Sequence, residues 1–102
     1  MRSRNDPGLL VMASLAGGSK HGYAITRDVE ELAGVRLGPG TLYGALARLE
    51  ERGLIEGLPG EDRRRPYRLT GAGATSLQEQ LTALERVART GLQRLAVTGA
   101  TA

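Results

Sequence analysis

Residues 39–67 read PGTLYGALARLEERGLIEGLPGEDRRRPY, and this stretch decides the fold. Pro39 opens a helix, because its fixed φ suits a first turn and the N–H it lacks has no partner there. Leu42, Ala45, Leu46 and Leu49 share one face at helical spacing. Gly40, Gly44, Ala47 and Glu51 lie opposite, flanked by Thr41, Tyr43 and Arg48. Two glycines on an outward face cost about 1 kcal/mol each against alanine. Such a face suits close approach by another body, either a DNA groove or a packed helix. Gly53 caps the helix. Residues 54–58 then read as a strand, 59–62 as a turn, and 66–69 as a returning strand. Pro66 has no N–H to give to a ladder, so it belongs at an edge or a strand start. Arg63, Arg64 and Arg65 fall at the tip of this hairpin.

Working outward, residues 1–5 read as a loose arm with Arg2 and Arg4 available to a polyanion. Asp6 and Pro7 suit the N-cap and first position of a helix. Leu9, Leu10, Met12, Ala13, Leu15 and Ala16 make that helix apolar nearly all round, and Gly17-Gly18 ends it. A helix of this kind is buried on more than one side, which places it between its own core and a partner. A second helix is expected from about residue 19 or 20 to 33, with Ile25, Val29 and Leu32 as its core stripe and Gly34 as its cap. After the hairpin, Thr70 suits the N-cap of a last helix reaching about residue 97. Ala74, Leu77, Leu81, Leu84, Ala88, Gly91 and Leu95 alternate spacings of three and four along it, the pattern of a coiled-coil seam. A single helix projecting from a small domain has little of its own chain to cover such a stripe. The same helix of a second subunit is the economical cover.

The expected fold is therefore mainly α: a winged helix-turn-helix with three helices and a two-stranded wing over residues 6–70, followed by a dimerisation helix over 71–97. A helix with a small-residue outer face beside a basic hairpin can enter a major groove while holding the backbone next to it.

Composition sets the outer bounds. With 102 residues, no Phe, no Trp and three Tyr, the core must be built from Leu, Val, Ile and Ala. Absence of Cys excludes disulfides, thiolate metal sites and thiol nucleophiles. The lone His21 is no metal site by itself, so neither metal nor cofactor is expected. No apolar run reaches the roughly 18 residues of a membrane span and no signal-like opening is seen; a cytoplasmic protein is expected. Net charge is +3, and of fourteen basic residues Lys20 is the one lysine. Arginine's planar fork suits phosphate and guanine. Glu30-Glu31 and Glu50-Glu51 are adjacent on helices, pointing about 100° apart, so neither pair converges as an acid–base couple. No nucleophile order or phosphate-cradling glycine loop is present. These features argue against an enzyme. From the residues alone two readings stay open: double-stranded DNA binding, or a winged-helix adaptor that docks protein on the 77–95 stripe. RNA binding is disfavoured, because single-strand readers offer stacking aromatics on a sheet.

Four motifs narrow this. His21-Gly22-Tyr23; Pro39-Gly40-Thr41-Leu42-Tyr43; Leu49-Glu50-Glu51-Arg52-Gly53-Leu54-Ile55; and Arg64-Arg65-Pro66-Tyr67-Arg68-Leu69-Thr70 with Gly73 three residues on, together resemble the PadR family of bacterial transcriptional regulators. The resemblance covers about residues 8–90. It departs at Gly38, where the family commonly has Ser, and at Gly44, where Pro or a larger residue often stands. It implies homodimers joined through the C-terminal helix, palindromic operators, and repression relieved by a small-molecule effector. On this resemblance Gly40, Thr41 and Tyr43 face the groove, Tyr23 lies near the backbone, and Arg63, Arg64 and Arg65 form the wing tip. Arg48 reaches a base edge or phosphate, or pairs with Glu51. Leu9, Leu10, Leu77, Leu81, Leu84, Ala88 and Leu95 are the expected dimer interface.

Overall fold

A computed structural model describes residues 6–60 and 64–98. Its elements run α1 (Pro7–Leu15), β1 (Lys20–His21), α2 (Gly22–Ala33), α3 (Pro39–Glu51), β2 (Ile55–Gly57), β3 (Pro66–Leu69) and α4 (Gly71–Thr98). The three strands form one antiparallel sheet in the order β1-β3-β2.

α1 is the hub. The Asp6 carboxylate accepts from the Gly8 and Leu9 N–H groups at 3.0 and 3.4 Å, the capping its position calls for. Its far end is closed by a side chain that the apolar pattern does not reveal. Lys20 Nζ donates to the Ser14 carbonyl at 2.6 Å and to the Gly18 carbonyl at 3.1 Å. The ammonium thereby meets both the orphan carbonyls and the negative end of the helix dipole. Around α1 pack α2, α3, α4 and β3. Val11 is fully buried, Leu9 is 6% exposed and Leu10 5%. Leu9 and Leu10, expected at a dimer interface, lie in the chain's own core. Their side chains are consumed by the chain's own core, so they offer a partner nothing to cover.

The wing has three strands, not two. Lys20 and His21 do not open α2; they pair with Tyr67 and Pro66. His21 is extended (φ −85°, ψ 170°), and the helix starts at Gly22. The gain is backbone pairing along the edge of β3, which would otherwise lie open. Pro66 stands at the start of what becomes the central strand. The Ile25 and Val29 positions of the α2 stripe are fully buried, but Leu32 is 48% exposed. Gly34 (φ 67°) ends α2 just beyond it. Leu37 enters the core there, with Ala33 and Val35 packed against it. Leu32 has the right phase but is only half covered.

α3 buries Leu42, Ala45, Leu46 and Leu49 as its spacing predicts. Its end is a Schellman motif: the Leu54 N–H donates to the Leu49 carbonyl and the Gly53 N–H to the Glu50 carbonyl, at 2.9 and 3.0 Å. Gly53 at φ 75° supplies the left-handed residue this motif needs. The root of α4 is fastened to the same corner. Thr70 Oγ1 accepts from the Gly73 N–H at 3.0 Å and donates to the Gly53 carbonyl at 2.7 Å. The Thr70 N–H donates to the Leu54 carbonyl at 3.1 Å. Gly73 is packed so tightly on Leu54 that a Cβ there would overlap that carbonyl.

Beyond this root, α4 leaves the body. Gly73 and Leu77 are its buried residues and Leu84 is half-buried, whereas Leu81, Val87, Leu92, Leu95 and Val97 are exposed. Leu77, at 5% exposure, belongs to the monomer core rather than to a free seam.

Candidate nucleic-acid interface

The outward face of α3 is open. A Cβ on Gly40 would meet nothing, and one on Gly44 would meet the Arg48 guanidinium at 3.4 Å. Helix packing therefore does not account for the two glycines. Thr41, Tyr43, Ala47 and Arg48 are exposed on the same side. Arg48 makes no ion pair with Glu51 among the described residues; its guanidinium folds back over Gly44.

The His-Gly-Tyr and Gly-Thr-Leu-Tyr motifs prove to be two halves of one contact. Gly22 is buried, and a Cβ on it would lie 2.7 Å from Tyr43 Oη and 3.3 Å from Leu42 Cδ2. The glycine lets the start of α2 approach α3, and the Tyr43 ring leans over it with 47% of the residue exposed. Tyr23, one residue on, is 67% exposed with the Arg27 guanidinium 5.9 Å from its ring centroid. Tyr23 and Tyr43 line one open cleft with Arg27, Arg36 and Pro39. Cations, with Arg36 paired to Glu30 at 3.5 Å, phenolic hydroxyls and the N-terminus of α3 thus share one edge of the exposed α3 face.

The three wing arginines have different situations. Arg63 lies outside the described residues. Arg64 is exposed. Arg65 turns inward: its Nη2 donates to Glu50 Oε2 at 3.0 Å, and its Cζ sits 5.7 Å from the centroid of the Tyr67 ring. Arg65, expected as a DNA contact, is thus engaged within the wing while its side chain stays 41% exposed. The same Glu50 oxygen accepts from the Gly57 N–H at 3.3 Å. A cross-strand pair, Arg68 with Glu56, neutralises the charge of the next arginine along. The Tyr67 hydroxyl is held above its ordinary pKa, chiefly by burial; the Arg65 charge opposes this, and Glu50 and Tyr43 add to it.

Sequence reasoning missed Glu50, Gly22 and Lys20 as organising residues. The signal for Glu50 was available: a carboxylate on the last turn of a helix that precedes a triplet of arginines. Among the described residues no group of His and acidic side chains converges as a metal site.

Four helices, a small sheet and a bare helical face beside a basic hairpin define a winged helix-turn-helix protein. Residues 11–79 match the transcriptional regulator PadR-like family, and the chain belongs to that family. It is 47% identical over 83 residues to an uncharacterized 37.1 kDa protein in transposon TN4556 of Streptomyces fradiae, covering 81% of this chain and 24% of that one. It is 40% identical over 87 residues to the transcriptional regulator Rv3488 of Mycobacterium tuberculosis, covering 79% of this chain and 78% of the other. The structure superimposes on a PadR family transcription regulator from hypervirulent Clostridium difficile with a TM-score of 0.77 and 28% identity, over 87% of this chain and 97% of that one. The chain thus spans about a quarter of the Streptomyces relative and most of the mycobacterial one. The family is one of transcriptional regulators, and the mycobacterial and clostridial relatives bear that name.

Proposed function

We propose that the chain works as a homodimer that represses transcription from a palindromic operator and lets go when a small molecule occupies the dimer interface. The observation that carries the DNA-binding part is the α3 face. Gly40 has no protein atom near its would-be Cβ, Thr41 and Arg48 are exposed around it, and Arg64 stands on the flanking wing. Thr41, Tyr43 and Arg48 supply base discrimination; Arg64, Arg63 and Tyr23 supply phosphate contacts.

Support for the dimer comes from α4. Its 28 residues extend about 42 Å at 1.5 Å each. Leu81, Leu92 and Leu95 are 43%, 69% and 48% exposed with Leu84 and Ala88 between them. A second copy of α4 covers that row, and a recognition-helix separation near 34 Å then matches one turn of DNA. Beside the row runs a largely apolar groove lined by Ala16, Leu69, Ala74, Leu77 and Leu81, with Gln78, Thr82 and Glu85 as its polar members. Roofed by the partner, it suits a small apolar effector. Such a ligand releases DNA only by binding the released arrangement more tightly than the DNA-bound one.

The test is fluorescence anisotropy with the DNA upstream of the chain's own gene, competed with random duplex. Specific binding at least a thousand-fold tighter than random is expected. Equal binding to both would remove the operator, and no binding to either would leave α4 as the docking face of an adaptor.

A further inference from the structure

Arg65 lies in a setting unlike that of an arginine waiting for phosphate. Three independent contacts hold it. Its Nη2 donates to Glu50 Oε2 at 3.0 Å. Its guanidinium faces the Tyr67 ring at 5.7 Å. It also lies flat across Gly57, so that a Cβ there would fall inside the guanidinium group. Glu50 in turn reaches both wing strands. One oxygen takes the Arg65 guanidinium, just before β3, and the Gly57 N–H, on β2. Glu50 sits on the last turn of α3, the recognition helix. Among the described residues, the side-chain hydrogen bonds between that helix and the hairpin thus converge on one carboxylate.

We propose that Glu50, Arg65 and Gly57 form a strut that sets the angle of the wing on the recognition helix, with Arg65 a positioning residue and Arg64 the neighbouring arginine that meets phosphate. The proposal rests on the DNA-binding reading above and names the residues that fix its geometry. Arginine is required rather than lysine. Its planar group donates to Glu50 while stacking between the Gly57 backbone and the Tyr67 ring, and an ammonium cannot lie flat in that slot. Glycine is required at 57 because only it leaves the slot vacant.

The two roles for Arg65 make opposite predictions. If Arg65 contacts phosphate directly, Glu50→Gln removes a negative charge beside DNA and tightens binding, while Gly57→Ala frees the guanidinium and is neutral or favourable. If Arg65 acts through the strut, Arg65→Ala, Glu50→Gln and Gly57→Ala all weaken operator binding, by about ten-fold each. The Glu50→Gln/Arg65→Ala double variant is then no weaker than either single variant to within about two-fold. The salt slope separates them again. Arg64→Ala lowers it by about one, and Gly57→Ala leaves it unchanged. Tighter binding by Glu50→Gln, unaltered binding by Gly57→Ala, or additive losses would each overturn the proposal.

A measurement without DNA keeps the strut testable by itself. The Gly57 amide exchanges at least ten-fold faster in Glu50→Ala than in the wild type by NMR, with the amides of α1 unchanged. An unchanged Gly57 rate overturns the strut. A protein that exchanges as expected yet ignores all DNA overturns the function proposed above and leaves the strut standing.

Discussion

Gly73→Ala sets two physical rules against each other. Helix propensity alone says that alanine stabilises α4 by up to about 1 kcal/mol. The packing says the opposite, because the new methyl would overlap the Leu54 carbonyl, a backbone atom with no rotamer to escape into. The first turn of α4 must lift. Forced overpacking costs about 1–3 kcal/mol. Lifting also stretches the Thr70 hydrogen bonds to Gly53 and Leu54, worth about 1 kcal/mol each. Net of propensity, a loss of about 3 kcal/mol is expected. A domain of this length has only about 5–15 kcal/mol in all. The corresponding fall in Tm is roughly 15 °C. Gly71→Ala is the internal control, since a Cβ there meets nothing within 4 Å; it should be neutral or slightly stabilising. Urea unfolding followed by circular dichroism, at one fixed protein concentration, reads both. A Gly73→Ala protein as stable as Gly71→Ala would refute the argument that α4 is locked to the corner of α3.

Leu81→Asp should shift the sedimentation profile from dimer to monomer, raising the dimer Kd at least about 100-fold, as each dimer acquires two carboxylates in an apolar seam; Leu81 is a cleaner probe than half-buried Leu84, and a dimer that persists would place the interface elsewhere. Thr41→Ala should narrow the gap between operator and random DNA without altering the salt slope, as competition binding will show. Lys20→Met should cost about 1 kcal/mol in urea unfolding by exposing the Ser14 and Gly18 carbonyls at the end of α1. The raised Tyr67 pKa favours the neutral phenol in the folded state, so its contribution is intact below the ordinary value of about 10 and lost as pH climbs through the higher folded value. Stability should therefore fall less steeply above pH 10 in Tyr67→Phe than in the wild type.

What was legible in the sequence was whatever local chemistry dictates. Pro39, the spacing of Leu42 to Leu49 and Gly53 specify α3 and its end without reference to the rest of the chain. Asp6 with Pro7, and Thr70 with its helix behind it, are equally local. What stayed hidden depends on neighbours distant in sequence. β1 is two residues long and exists because β3 offers an unpaired edge. Leu32 and Val29 have nearly the same helical phase, yet Val29 is fully buried and Leu32 only half covered. Leu9 and Leu10 look like interface residues until α4 and α3 are folded over them. Arg64 and Arg65 are adjacent and chemically identical; a carboxylate fifteen residues earlier and a missing Cβ on Gly57 separate them.

The corner at Gly53, Leu54 and Thr70 fastens the end of α3 and the beginning of α4 to the same few backbone atoms. If α3 enters the groove as proposed, a twist applied far out along α4 is carried to it through that corner, as a tiller swings its rudder. With α4 paired as proposed, a few degrees of rotation there become ångströms of travel at the α3 face, without any residue of that face being touched.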